Sequence, residues 1–203
     1  MTIHPAISRS NNYHKYHSRN LFAKVGVYYF LKTISRMINS FSPGNVLDAG
    51  CAEGFALRHM RKHRDRSPAI TGMDIDYKAL LFSKAEGQGR HFIQADIQKI
   101  PFKDSSFDLV LCLEVLEHLV FIDTALAELK RVAKKSCIIS IPLEPCFSVC
   151  RMLAGKDIAR FGRVPEHISC FNAMEVKAKL KSHFKLEETI ISFPWIIFRV
   201  SAK

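Results

Sequence analysis

Three acids in the first half of the chain each close a short apolar run. They are Asp48 after Asn45-Val46-Leu47, Asp74 after Ala69-Ile70-Thr71-Gly72-Met73, and Asp96 after His91-Phe92-Ile93-Gln94-Ala95. A carboxylate so placed accepts hydrogen bonds from a ligand's hydroxyl or amino groups and repels a phosphate. Asp74 stands about twenty residues past Gly54, the separation at which an acid reaches the hydroxyls of a ribose. An adenosine-type ligand with free ribose hydroxyls is therefore expected. Two histidines, His118 and His167, carry the side chain that takes up or gives back a proton near neutral pH. They are the candidate bases for a hydroxyl or an acidic carbon. Each can equally be structural, His118 as a brace or cap of its own helix.

The first acid belongs to a longer pattern, Asp48-x-Gly50-x-Ala52-x-Gly54, opening into the periodic segment Phe55 to His63. That is a strand, a tight turn and a helix, the first half of a nucleotide-type βαβ unit. Gly50 removes a Cβ where the backbone must bend and a ligand must approach it. A nicotinamide dinucleotide and S-adenosylmethionine both suit the acid at Asp74. The dinucleotide fingerprint needs G-x-G-x-x-G, however, and this turn has no further glycines to wrap a pyrophosphate. With its acid and spaced small residues it resembles the first motif of the class I S-adenosylmethionine-dependent methyltransferases, acid-x-Gly-x-Gly-x-Gly. Ala52 replaces the middle glycine, a mild change if its φ is negative.

The resemblance continues through Asp96-Ile97, Ile100-Pro101-Phe102, Phe107-Asp108 and Glu114-Val115-Leu116-Glu117-His118-Leu119, and is strong over residues 44 to 143. It implies a cofactor seated on Asp48, Gly50, Cys51, Ala52 and Gly54, then on Asp74 and Ile75. Asp96 would bond the adenine amino group, Ile97 would pack on the ring, and the main chain at Leu113 would face the methionine part. The small-molecule type, similar to ubiquinone-biosynthesis methyltransferases, is favoured. Glu114, Glu117 and His118 fall at i, i+3 and i+4, so a helix there would put all three on one face. With His167 they offer two carboxylates and two imidazoles, a reasonable divalent-metal set. Ubiquinone-biosynthesis O-methyltransferases and small-RNA 2′-O-methyltransferases have a similar pattern, in which a metal positions the hydroxyl. Metal-free relatives carry the same Glu-His, and metal is not favoured here.

Strands must hold these groups in a common plane. Strands are expected at the run Asn45-Val46-Leu47 closing on Asp48, and at Ala69–Met73, His91–Ala95, Phe107–Cys112 and Cys137–Ile141, alternating with helices at Phe55–His63, Tyr77–Glu86 and Asp123–Ala133, to which the resemblance adds one at Glu114–Leu119. Helices at Leu21–Ile38 and Ala173–Ser182 and strands at Lys185–Ile191 and Trp195–Ala202 complete the chain. The alternation predicts a doubly wound, mostly parallel α/β sheet of seven strands. The last two strands, joined by a short turn, must be antiparallel. The 203 residues are expected to form a single domain. Within it, residues 1–40 form an N-terminal cap, 41–142 the cofactor-binding half, 143–170 a lid insertion, and 171–203 the closing helix and strand pair. The N-terminal segment Tyr13–Asn20 and the irregular stretch Leu143–His167 are expected either to choose the acceptor or to be surface structure covering apolar area.

Composition bounds the partners. Apolar content of 48% and charged content of 24% are those of an ordinary soluble chain, and Met1–Asn20 lacks the apolar run of a secretory leader. Six cysteines without a C-x-x-C pair read as reduced thiols of a cytoplasmic protein. Lysines and arginines interrupt Leu21–Ile38 too often for a transmembrane span. The formal charge of +11 suits nucleic acid or the face of an anionic membrane, but the cations are spread along several helices. The expectation is methyl transfer to a small-molecule or lipid-like acceptor, at oxygen by preference. An RNA methyltransferase is the second enzyme reading, peripheral membrane contact stays open, and a non-catalytic cofactor-binding scaffold is the reading from another class. Oligomeric state is not fixed by the sequence.

Overall fold

The computed structural model describes residues 15–17, 20–62, 68–85, 91–153, 155, 157–164, 167 and 172–202. Tyr13, His14, Ser18 and Arg19 of the expected acceptor-choosing segment lie outside the described residues, as do Arg64, Arg66 and Cys170. In chain order the elements are α1 (Leu21–Asn39), β1 (Asn45–Ala49), α2 (Phe55–Lys62), β2 (Ala69–Asp74), α3 (Tyr77–Ala85), β3 (His91–Gln94) and β4 (Phe107–Leu113). They continue with α4 (Ile122–Val132), β5 (Ala133–Pro142), α5 (Cys146–Leu153), α6 (Ala173–His183), β6 (Lys185–Ser192) and β7 (Trp195–Ser201).

The seven strands form one sheet in the order β3-β2-β1-β4-β5-β7-β6. β1 through β5 pair in parallel, while β7 runs antiparallel to both β5 and β6. The reason is visible in the sequence. Val46-Leu47 and Leu109 to Cys112 are apolar without alternation, because both faces of the central strands are covered. One face packs Phe30 and Ile34 of α1, Leu57 of α2 and Leu80 of α3 against Leu109, Leu111, Ile138 and Ile197. The other packs Leu126 and Leu129 of α4 and Val176 and Leu180 of α6 against Val110, Ile139 and Phe198.

Side-chain clamps set the ends. Asn20 caps α1 by accepting from the N–H groups of Phe22 and Ala23 at 2.9 and 3.2 Å. Asn172 and Glu175 form a reciprocal capping box at the start of α6. Arg131 holds the segment before β4, donating to the carbonyls of Ile100 and Phe102 and to Asp104 and Glu128.

Three expectations need correction. The helix expected over Glu114–Leu119 is a single 3₁₀ turn, Leu116–His118, and Glu114 lies outside it with φ +57°. The stretch expected to be irregular contains α5, whose Phe147 and Ser148 are buried. Strand β5 starts at Ala133, earlier than expected, because pairing with Phe107 recruits residues flanked by the exposed Lys134 and Lys135.

Candidate functional site

Beyond the carboxyl ends of β1, β2 and β4 lies a cavity of about 1450 Å³. This is where a doubly wound sheet leaves a crevice. Asp48 ends β1 and is buried to 2% exposure. Burial, with the Asp74 charge adding to it, pushes its carboxyl up to about 7. Asp74 ends β2, and burial raises its carboxyl too, against the pull of two backbone hydrogen bonds. Its Oδ2 accepts from the Ala52 N–H at 2.7 Å and its Oδ1 from the Asp76 N–H at 2.9 Å. Each oxygen keeps a further acceptor site for a ligand hydroxyl.

The turn after β1 is shaped for close approach. The Gly50 N–H donates to the Met73 carbonyl at 2.7 Å, and a Cβ at Gly50, with φ +87°, would sit 2.3 Å from Cγ2 of Val115. Ala52 has φ +44°, so the condition for a mild substitution is not met. Its methyl group occupies the left-handed region at a cost of roughly 1 kcal/mol. The strained residue is the one whose N–H reaches Asp74.

Cys51, Ala52, Ile75, Asp96, Ile97 and Leu113 join Asp48, Gly50 and Asp74 on the cavity wall. Asp96 is steadied by accepting from the Gln98 N–H at 2.8 Å, and Ile97 is 7% exposed. Gly54 does not line the cavity. Its N–H donates to the Cys51 carbonyl at 2.9 Å, and its own carbonyl accepts from Arg58, so it closes the turn and starts α2.

At the other end of the cavity stand His118 and His167, with ring centroids 4.9 Å apart in an edge-to-face pair. Phe147 lies parallel to the His167 ring at 6.2 Å. One ligand atom each from Glu117, His118 and His167 fall within 4.8 Å of one another. Glu117 is 3% exposed, and burial together with the Glu114 charge pushes its carboxyl up to about 8. Glu114 is turned away from this group. Its Oε1 accepts from Lys15 Nζ at 2.6 Å and its Oε2 from Trp195 Nε1 at 2.7 Å.

Lys15, Tyr16 and Trp195 are site residues that no local motif announced. Burial disfavours the Lys15 charge, yet Glu114 beside it holds the ammonium above its ordinary range. Lys15 Nζ also lies 4.8 Å from the Tyr16 ring centroid, and Tyr16 stacks on Phe55 at 4.8 Å. A short N-terminal piece is thus bound across the crevice and lines the same cavity. Its signal was weak: an isolated lysine among histidines and tyrosines.

A profile described as "Methyltransferase domain" matches residues 47–141. These are the residues from β1 to β5 that build the acidic end of the cavity. Over that stretch, a little under half of the chain, the sequence is similar to methyltransferase domains. Malonyl-[acyl-carrier protein] O-methyltransferase of Pseudescherichia vulneris is 30% identical over 92 residues, 45% of this chain and 36% of that protein. Sterol 24-C-methyltransferase ERG6B of Gibberella zeae is 32% identical over 106 residues, 49% of this chain and 27% of its own length. The matched part is therefore about a third of each relative. Magnesium protoporphyrin IX methyltransferase of Synechocystis PCC 6803, solved with bound S-adenosylhomocysteine, superposes with a TM-score of 0.71 at 17% identity, covering 97% of this chain and 96% of that one. That likeness is one of fold, and the sheet order of the methyltransferase domain is the one described above. Among the described residues no helix is long and apolar enough to cross a membrane.

The buried acid yields a pH prediction. A carboxyl raised to about 7 in the folded chain binds a proton that the unfolded chain releases near its ordinary value of 3.8. Its contribution to stability therefore falls as pH rises between those values and is flat above. Asp48→Asn should gain about 2 kcal/mol relative to the parent between pH 5.5 and pH 8, measured by urea unfolding without ligand. A difference that does not change with pH would mean that Asp48 is ionised throughout.

Proposed function

We propose that the protein transfers a methyl group from S-adenosylmethionine to a small, lipid-like acceptor, at a hydroxyl oxygen. The observation that carries this reading is the two-ended cavity, with acids at one end and a pair of imidazoles among aromatic rings at the other. The acidic end fits the cofactor. Asp74 keeps acceptor sites for two ribose hydroxyls, Asp96 offers one to an adenine amino group, and Ile75 and Ile97 supply apolar walls for a flat ring. Asp48 and the backbone of Gly50 and Leu113 would line the methionine part.

When bound, the cofactor supplies a methyl group that is already electrophilic at its sulfonium. The work left to the chain is alignment, exclusion of water, and removal of one proton. A ring nitrogen of His118 or His167 would take that proton from the acceptor hydroxyl, and their edge-to-face contact would hold the receiving ring in place. Phe147, Val164 and Trp195 give the acceptor end an apolar surface. The matched relatives are named for a malonyl-[acyl-carrier protein], a sterol and magnesium protoporphyrin IX. None of these acceptors is a nucleic acid, which supports the small-molecule reading over RNA.

Methyl-labelled cofactor offered with hydroxylated lipids and with RNA should place label in the lipid fraction. Label in RNA alone would move the assignment to the other enzyme reading. With the acceptor so found, His118→Gln and His167→Gln should each keep S-adenosylhomocysteine affinity, and at least one should lower kcat by about 10² or more. Two fully active variants would return both rings to a structural role.

A divalent cation is the second reading. It is favoured by the closeness of Glu117, His118 and His167, and by Glu117 Oε2, which is buried without a hydrogen-bond partner. If these three hold a metal, chelation should abolish turnover and an added divalent ion should restore it. Turnover indifferent to a chelator leaves the imidazoles as the base.

A further inference from the structure

The acceptor end of the cavity opens through a rim that is both apolar and exposed. Phe22 on α1 is 88% exposed, Leu153 at the end of α5 is 80%, Phe121 before α4 is 67%, and Phe193 in the β6–β7 turn is 56%. All four also line the cavity, so they mark its mouth rather than scattered surface. The rim is brought together from four separate parts of the chain. Leu21, Val25, Tyr28 and Tyr29 extend it along α1, each between 45% and 70% exposed. Contiguous exposed apolar surface of this kind marks a docking face.

Cations border it, and the exposed Asp123, two residues past Phe121, is paired with Lys179. No aspartate or glutamate precedes Asp48 in the sequence, while Lys24, Lys32 and Arg36 of α1 do. Along α1 the exposed Lys24, Lys32 and Arg36 flank the apolar face. Beyond α5, Arg160 and Arg163 alternate with Ile158 and Phe161, which are 62% and 79% exposed. Large apolar side chains interleaved with cations are the pattern of an interfacial helix, which sinks its apolar face among acyl chains and its cations among anionic headgroups. A nucleic acid would meet the same cations but would leave Phe22, Phe121 and Leu153 without an apolar phase.

We propose that this rim docks the protein on the surface of an anionic phospholipid bilayer, with the cavity mouth facing the lipid. The inference deepens the lipid-like acceptor reading, since an apolar acceptor would then pass from bilayer to cavity without crossing water. It does not need turnover to be tested.

The full chain is floated with vesicles of phosphatidylcholine alone and of phosphatidylcholine mixed with phosphatidylglycerol, at low and at raised salt. Binding to the anionic vesicles should be at least tenfold stronger than to the neutral ones, and part of it should survive salt because apolar surface is buried. The double variant Phe22→Ser/Phe121→Ser, altered only at exposed side chains, should keep its circular dichroism and bind about tenfold more weakly. Failure of the intact chain to float with anionic vesicles would overturn the proposal, whether or not it binds RNA. Equal flotation of the variant, or complete release by salt, would overturn it as well. Vesicle binding without methylation of any lipid would sink the acceptor reading and spare the docking face. Methylation of a detergent-dispersed lipid without vesicle binding would do the reverse.

Discussion

The hydrogen bond from the Ala52 N–H to the Asp74 carboxylate, 2.7 Å long, ties the turn after β1 to the end of β2. Adjacent parallel strands bring those two ends side by side, so the contact can form only after the sheet has assembled in its order. Once formed, it does three things. It holds Ala52 in a left-handed conformation that an alanine would not choose, it fixes the carboxylate's direction, and it keeps the turn open above the cavity. The cost of the methyl group, roughly 1 kcal/mol, is of the size that one hydrogen bond to a charged acceptor offsets. Asp48, close enough to Asp74 to feel its charge, is buried in the same corner. The acidic end is therefore a strained and partly protonated site before any ligand arrives. A ligand that donates hydrogen bonds there would favour the ionised carboxylates.

The other end is organised by a different pairing. Glu114 sits between Lys15 and Trp195, and that bridge links the N-terminal piece, the end of β4 and the start of β7 over the crevice. Because Glu114 is committed there, the ligand atoms that come close together are those of Glu117 and the two imidazoles. The bridge also keeps a positive charge next to Glu114 and Glu117, which counters the repulsion between those two acids. Asp48 and Asp74 at one end and Glu117 at the other are thus shifted by different neighbours.

Much of this could be read from the chain. Asp48, Asp74 and Asp96 each follow an apolar run, and a strand that ends in an acid is a local pattern. The parallel strands were legible for that reason, and the antiparallel edge from the short turn between the last two strands. Glu114 was not, since Glu-x-x-Glu-His has perfect helical spacing and nothing nearby forbids a helix. Its actual partners are 99 and 81 residues away, and only the tertiary fold brings them in. Gly54, whose place in the motif suggested the cofactor wall, closes the turn through its backbone bonds. The positive φ of Ala52 was out of reach because an alanine gives no hint of a left-handed backbone. Helix α5 was signalled by its apolar run, but too short a run to separate a helix from a covering loop.

The central claim is that the acidic end of the cavity holds the cofactor through Asp74. Calorimetric titration with S-adenosylhomocysteine, with NAD as the competing ligand, tests it on the intact chain and on Asp74→Ala. Saturable binding of S-adenosylhomocysteine but not NAD, weakened at least tenfold in the variant, is the expected result; loss of one charged acceptor of two hydroxyls is worth that much. Binding of NAD in its place, no binding of either ligand, or undiminished affinity in the variant would contradict it.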